Sequence, residues 1–339
     1  MSKKILVIGS GIAGIAASLK LKSYGLETTI IDKGNFIGGR ISTHFVDSQI
    51  NSLCFFHGAQ FFTARTNSFN KIIAQGISKN YIQKYLDFFP IRYRGFPTMR
   101  NFLTSISSEL DIRQKETVID ISPKNENQIN IVSNISKKKE TFDGIISTVP
   151  GPQAVELIKK FPLLINTLSS SSYDACIALM FAFDRKPKDI SVYFNFLDDK
   201  GIFSWIASSN NNQCWTAHTN SDYSNKNLTT DPKVLQNEIF NELNNSFILP
   251  NNLISYKVIY SKLHFWRYAK VRNLSKGIQI DPLYPLAIAG DFMEGPRVEA
   301  AFTSGEKAAE LIFNRLKEYV YLDSDHYNIL YNIIIMIKL

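Results

Sequence analysis

Lys4-Ile5-Leu6-Val7-Ile8-Gly9-Ser10-Gly11-Ile12-Ala13-Gly14 is the stretch that decides the fold. The apolar run up to Ile8 reads as a strand buried on both faces, as in parallel sheets. Three glycines follow at once, and Ile15 to Tyr24 carries the apolar spacing of a helix. Gly25 supplies a helix stop, and Glu27-Thr28-Thr29-Ile30-Ile31 is a second, β-branched strand ending on Asp32. Each part has a task in dinucleotide binding. Gly9 permits a tight turn, Gly11 lets backbone approach a pyrophosphate, and Gly14 allows helix and strand to pack closely. The helix N-terminus offers free N–H groups to phosphates. Asp32 stands where a carboxylate accepts ribose hydroxyls.

The residues after Asp32 separate one dinucleotide from another. Gly34-Asn35-Phe36-Ile37-Gly38-Gly39-Arg40-Ile41-Ser42-Thr43 follows the acid, and acid then Gly-Gly-Arg resembles the FAD-binding start of the amine oxidase-like flavoproteins. Gly38 and Gly39 would clear space beside the cofactor, and Arg40 would offer a forked cation to the diphosphate. A glycine loop with a solvated arginine is the plainer alternative. Further on, His57-Gly58-Ala59-Gln60-Phe61-Phe62-Thr63-Ala64-Arg65 resembles the renalase-like branch of that superfamily. The branch usually has Asp where this chain has Phe56. The resemblance implies that His57 to Gln60 run beside the isoalloxazine ring; alone, His57 reads as a hydrogen-bonded core histidine.

The rest of the chain extends the pattern. Gly95-Phe96-Pro97-Thr98-Met99 opens a helix expected to reach about Leu110, and Tyr85 to Arg94 reads as a packing wall. Residues 116–149 read as a β-meander: strands Glu116 to Ile121 and Gln128 to Val132, joined by a turn Pro123 to Asn127, then strand Phe142 to Val149. Val118, by its position, is expected to meet the adenine through its backbone. A helix near Gln153 to Lys160 precedes closely spaced strands at Tyr173 to Phe183, Ile190 to Phe196, Ile202 to Ala207, Cys214 to Thr219 and Ile254 to His264. These predict an antiparallel sheet, with a helix at Asp231 to Asn245 among them. Trp205, Trp215-Thr216-Ala217-His218 and His264-Phe265-Trp266-Arg267-Tyr268-Ala269 are similar to renalase-like runs; the alternatives are core packing for each tryptophan, a hydrogen-bonded structural role for His218 and His264, and the domain interface for Arg267 and Tyr268. Leu286-Ala287-Ile288-Ala289-Gly290-Asp291 resembles a second FAD motif whose acid accepts a ribityl hydroxyl. Gly295-Pro296-Arg297-Val298-Glu299 then resembles the turn that aims N–H groups at the flavin, with Pro296 in the first helical turn.

Composition sets bounds. A chain of 339 residues, 45% hydrophobic and 20% charged, is globular, and long enough for two interleaved domains. The net charge of +8 is scattered apart from Lys137-Lys138-Lys139, which argues against nucleic acid as a partner. Cys54, Cys176 and Cys214 form neither a disulfide framework nor a metal spacing, so a reducing, cytoplasmic setting is expected. The first strand begins too early to leave room for a signal peptide. The apolar tail around Ile333 to Ile337 is too short to span a bilayer.

The expected fold is α/β, a Rossmann-type FAD-binding domain with an inserted, mostly antiparallel α+β substrate domain. The FAD domain takes residues 1–75, 95–150 and 275–320, the substrate domain 76–94 and 151–274, and the tail 321–339. The cofactor implied is FAD, non-covalently bound, with no metal. Its expected contacts are Gly9, Gly11, Ile12, Ala13, Gly14, Asp32, Lys33, Gly39, Arg40, His57, Gly58, Ala59, Gln60, Val118, Gly290, Asp291, Arg297 and Val298. Gln60, Phe62, Trp205, His218, His264 and Trp266 are the substrate-pocket candidates, and no nucleophile is assigned. The resemblance implies oxidation of small-molecule dihydronicotinamide substrates, NAD(P)H isomers, with oxygen as acceptor. An FAD-dependent amine oxidase and a non-catalytic FAD-binding protein are the alternatives; the two FAD motifs argue against a flavin-free NAD-dependent dehydrogenase.

Overall fold

The structure, a computed structural model, describes residues 2–47, 52–87, 89–187, 193–195, 201–209, 212–245 and 256–322. Its opening unit is strand Lys4–Ile8, helix Ile12–Ser23 and strand Glu27–Asp32. The helix starts at Ile12 rather than Ile15, because Gly11 is its N-cap and the glycine turn runs straight into the first helical turn.

Lys4–Ile8 lies in the middle of a five-stranded parallel sheet. The order is Leu286–Ile288, Gly144–Ser147, Lys4–Ile8, Glu27–Asp32, Asp111–Gln114. Its side chains alternate between two cores: Ile5 and Val7 join one cluster, Leu6 and Ile8 the other. Both faces are covered, which is why the run reads as continuously apolar. The chain leaves Lys4–Ile8 toward one edge and later returns on the other side. Such a switch point opens a crevice at the strands' carboxyl ends. Helix Val298–Leu322 packs on helix Ile12–Ser23, and at their crossing a Cβ on Gly305 would stand 2.1 Å from the Ala13 carbonyl oxygen.

The meander forms a separate antiparallel sheet of Val118–Asn125, Gln128–Ser133 and Lys139–Phe142. Its first strand runs through Pro123, and the turn is Glu126-Asn127, with Asn125 paired to Gln128. The sequence reading places Pro123 in the turn, but this is an edge strand, where proline is tolerated. Phe142 closes the meander and Gly144 begins the parallel strand. The helix after Gly95 is Met99–Ile106, and Asp111–Gln114 beyond it is an edge strand the sequence reading lacks.

The second large sheet is antiparallel, in the order Tyr193–Asn195, Phe203–Ser208, Cys214–Thr219, Ser172–Phe183, Val258–Asn273. The expected strand at 190–196 is described only over 193–195, and residues 323–339 of the tail lie outside the described residues. Val258–Asn273 runs well past His264, so the whole aromatic and basic run is strand. Helix Pro232–Asn245 covers this sheet with Leu235, Ile239 and Leu243, one helical face at i, i+4, i+8. Helix Pro162–Ser169, with proline in its first turn, is not anticipated by the sequence reading. The hairpin Ile82–Leu86 and Arg92–Gly95 buries Ile82 in the core that Ile5 and Val7 share and reaches the second sheet through Arg94, whose buried guanidinium lies 3.4 Å from the centre of the Tyr85 ring and donates to the Ser208 carbonyl at 3.2 Å. Phe88 lies outside the described residues. Among the described residues no helix is long and apolar enough to cross a membrane.

Candidate active site

At the sheet's switch point the glycine turn is built by hydrogen bonds from both neighbouring strands. Gly9 N–H donates to the Ile31 carbonyl at 2.9 Å, and Thr148 Oγ donates to the Ile8 carbonyl at 2.8 Å. Gly9 has φ +106, a conformation side chains rarely adopt. A Cβ on Gly14 would stand 1.9 Å from the Gly9 carbonyl oxygen, so Gly14 serves packing and does not line the cleft. A Cβ on Gly11 would meet open space, and Gly11, Ile12 and Ala13 line the cleft at the helix N-terminus. Asp32 accepts from Ser10 N–H (2.6 Å), Ser10 Oγ (2.7 Å) and Gly34 N–H (2.6 Å). Its two oxygens have capacity left for a ribose hydroxyl on the cleft side.

Arg40 faces protein where the sequence reading expects a diphosphate partner. Its fork grips Asp291 with two bonds of 2.6 Å, and its Nη1 also donates to the Ala269 carbonyl at 3.1 Å. Asp291 thus holds Arg40 rather than standing ready for a ribityl hydroxyl alone. Burial works against the Arg40 charge, but the Asp291 carboxylate more than offsets it and raises the guanidinium's pKa. Tyr173, 3.5 Å from Asp291, is raised by burial and then by that negative charge. Gly290 N–H donates to Ser304 Oγ at 3.0 Å, which ties the second motif to helix Val298–Leu322. Arg297 and Val298 line the cleft at that helix's start, and Pro296 precedes the first helical turn.

At the other end, one carbonyl organises the wall. The His57 carbonyl oxygen accepts from Trp266 Nε1 at 2.8 Å and from His218 Nε2 at 3.0 Å. The His57 ring lies beneath, stacked on Trp266 at 5.2 Å and edge-on to His264 at 4.7 Å. Burial, aided by His264 and His44, pushes the His57 imidazole down to about 3. Burial also lowers His264, with His44 and Lys262 adding, and lowers His218 despite its bond to the His57 carbonyl. The cluster is neutral at pH 7.

The cleft has a volume of about 1880 Å³, above the ~300–1,000 Å³ of single small-ligand pockets. Lys33, Gly39, Arg40, Gly58, Ala59, Val118, Gly290 and Asp291 line it, as do His218, His264 and Trp266. Three pocket candidates do not. Phe62 is core, packed on Phe69 and Phe102. Gln60 and Trp205 bond each other, Trp205 Nε1 to Gln60 Oε1, and Gln60 also donates to the Thr216 carbonyl. His57 likewise reaches the cleft's wall through its backbone rather than its ring. Sequence reasoning missed Thr148, Glu116, Cys176, Tyr223, Lys226 and Lys270, which line the cleft without a motif around them. A glycine turn open to space at Gly11, remaining acceptor capacity on Asp32 and a continuous cleft to Trp266 fit an extended dinucleotide such as FAD.

Comparisons with known proteins agree with this geometry. Residues 7–75 match the NAD(P)-binding Rossmann-like domain, and residues 88–313 match the flavin containing amine oxidoreductase domain. A curated 1-hydroxycarotenoid 3,4-desaturase from Flavobacterium sp. is 46% identical over 39 residues, covering 12% of this chain and 8% of that protein. A 4,4'-diaponeurosporene oxygenase from Staphylococcus haemolyticus is 42% identical over 40 residues, again 12% and 8%. The chain therefore spans under a tenth of the length of these relatives. Among solved structures, cyclohexylamine oxidase from Brevibacterium oxydans superposes with a TM-score of 0.70 at 11% identity, over 94% of this chain and 100% of that one. A redesigned double mutant of putrescine oxidase gives 0.65 at 10% identity, over 93% and 99%. At these identities what is shared is the fold.

Proposed function

The chain belongs to the flavin containing amine oxidoreductase family, and from that premise we propose that it is a renalase-like oxidase of dihydronicotinamide dinucleotides, NAD(P)H isomers, with oxygen as acceptor. It is an FAD-dependent oxidoreductase: FAD, when bound, takes a hydride from substrate and passes the electrons on. In this reading residues 1–75, 95–150 and 275–320 bind FAD, and 76–94 with 151–274 shape the substrate side.

One observation carries the choice of substrate. The cleft wall from Val258–Asn273 and helix Ser221–Lys226 presents the His264 and Trp266 rings together with Lys226, Arg267 and Lys270, against the single carboxylate of Asp222. Rings suit a planar heterocycle, and the excess positive charge draws an anionic dinucleotide while opposing a cationic amine. Arg40, Gly58 and Ala59 fix the loop beneath, since Ala59 N–H donates to the Arg40 carbonyl at 2.8 Å. Positioning of this kind serves hydride transfer better than a titrating base would. The same rings, with the neutral imidazoles of His218 and His264, would also suit a neutral amine, so amine oxidation is the second reading.

FAD is held without a covalent bond in this proposal, because attack by a cysteine needs a thiolate. Burial pushes both Cys54 and Cys176 up to about 12. Acid precipitation should leave the flavin in the supernatant. A cytoplasmic location rests on the three free thiols. The substrate is tested by anaerobic mixing of the holoprotein with dihydronicotinamide isomers and with primary amines while flavin absorbance is followed. Bleaching by the isomers supports the proposal; bleaching by amines alone overturns it.

A further inference from the structure

We propose that His218 is a fixed hydrogen-bond acceptor in the cleft, selecting a substrate that carries an N–H donor beside its reacting ring. Resting on the reading above, that donor is the carboxamide N–H of the dihydronicotinamide.

The His57 carbonyl oxygen can only accept hydrogen bonds. Both nitrogens that reach it, Trp266 Nε1 at 2.8 Å and His218 Nε2 at 3.0 Å, must carry hydrogen. For tryptophan this is always so. For His218 it decides the tautomer, because a neutral imidazole with its proton on Nε2 has a bare Nδ1. Burial keeps the ring neutral. Nδ1 has no partner among the described residues, and His218 lines the cleft, so Nδ1 is the one polar atom the ring has left for a ligand.

The frame around this atom is rigid. Cys214–Thr219 is an inner strand, with His218 opposite Ala178 on one side and Trp205 on the other. The loop that supplies the carbonyl is tied to Arg40: Ala59 N–H donates to the Arg40 carbonyl at 2.8 Å, and the backbones pack so closely there that a Cβ on Gly58 would stand 2.1 Å from the same oxygen. His218 therefore cannot turn donor without breaking its bond to His57 or taking up a proton. A substrate offering only an acceptor at that place leaves Nδ1 unpaired, and sites built for a hydrogen bond discriminate against such analogues. Trp266 hangs from the same carbonyl, so the ring-stacking wall and the acceptor keep a constant relation.

Two measurements test this. In the substrate-free holoprotein, ¹⁵N shifts of the His218 imidazole, assigned by loss in His218→Gln, should show a protonated Nε2 and a bare Nδ1 near neutral pH. The opposite tautomer overturns the proposal. In the holoprotein, anaerobic flavin reduction is compared between dihydro isomers of NAD and of its 3-acetylpyridine analogue, which has a ketone and no N–H. The amide should be preferred in the wild type and the preference should shrink about three- to tenfold in His218→Phe. His218→Gln, which keeps an acceptor oxygen, should retain part of it. Intrinsic differences in hydride release cancel, because the same pair is compared in every variant. A preference unchanged in both variants sinks the acceptor role while the dihydronicotinamide reading stands. Flavin that no isomer reduces overturns that reading, and with it the carboxamide as the partner of Nδ1.

Discussion

Removing Asp291 should destabilise the protein through Arg40, and the double variant should cost less than its parts. The pair is bidentate with two bonds of 2.6 Å, and the side chains are 5% and 32% exposed for Asp291 and Arg40. Breaking a buried pair from one side costs ~3–5 kcal/mol, because the other charge stays behind without its partner. Asp291→Ala leaves Arg40, which still reaches water and the Ala269 carbonyl, so about 2–3 kcal/mol is expected. Arg40→Ala leaves a nearly enclosed carboxylate whose next contact is Tyr173 at 3.5 Å, and about 3–4 kcal/mol is expected. With both charges gone no orphan remains, so a coupling of about 2 kcal/mol should appear in the cycle. The assay is urea denaturation of the apoproteins, which keeps flavin affinity out of the comparison. Costs that add to within ~0.5 kcal/mol would mean that each side chain faces something other than its partner, and the Arg40–Asp291 pairing would be refuted.

Three further outcomes follow from the same geometry. His57 titrates near 6.5 when unfolded and about 3 when folded, so the unfolded chain takes up a proton that the native one refuses. Stability is complete above about pH 6.5 and falls toward pH 3, by up to about 4–5 kcal/mol at ~1.4 kcal/mol per unit; thermal melts should show a flatter pH profile for His57→Phe, and identical profiles would exclude the penalty. Asp32→Ala removes the carboxylate proposed to accept the ribose hydroxyls and should weaken FAD roughly ten- to hundredfold in a fluorescence titration, with unchanged affinity placing the adenosine elsewhere. Trp266→Leu should slow flavin reduction while the flavin spectrum and FAD affinity hold; loss of folding would instead mark Trp266 as core.

The parallel sheet was legible because the strand, glycine turn, helix and acid are contiguous, and each local choice agrees with the next. Gly14 shows the gain in detail: the spacing gives its packing role, and the Gly9 carbonyl oxygen, 1.9 Å from where a Cβ would stand, supplies the cause. The second sheet was legible in class but not in extent. Val258–Asn273 carries charges through its length, and a partly exposed strand has no clean period-two pattern to mark its end. Site residues divided by how their role is encoded. Motif-borne Arg40 and Asp291 could be picked out, but that they bind each other across 251 positions is a tertiary fact. Phe62 misled because an aromatic beside a motif reads the same whether it lines a pocket or fills a core. Lys226 and Lys270 gave no signal, since a lysine on a surface and one on a cleft rim are alike in sequence.

The crossing of Gly305 on Ala13 has a consequence for biosynthesis. The helix that follows the glycine turn is closed off by one lying almost 300 residues further along the chain. At ~5–20 residues per second, the first helix leaves the ribosome roughly 15–60 s before its permanent neighbour exists. Through that interval Ala13, Ala16 and Ala17, buried in the finished protein, have no lasting cover. Nascent chains should depend on a chaperone during this window, and truncations short of Gly305 should aggregate rather than accumulate as a folded FAD-binding fragment.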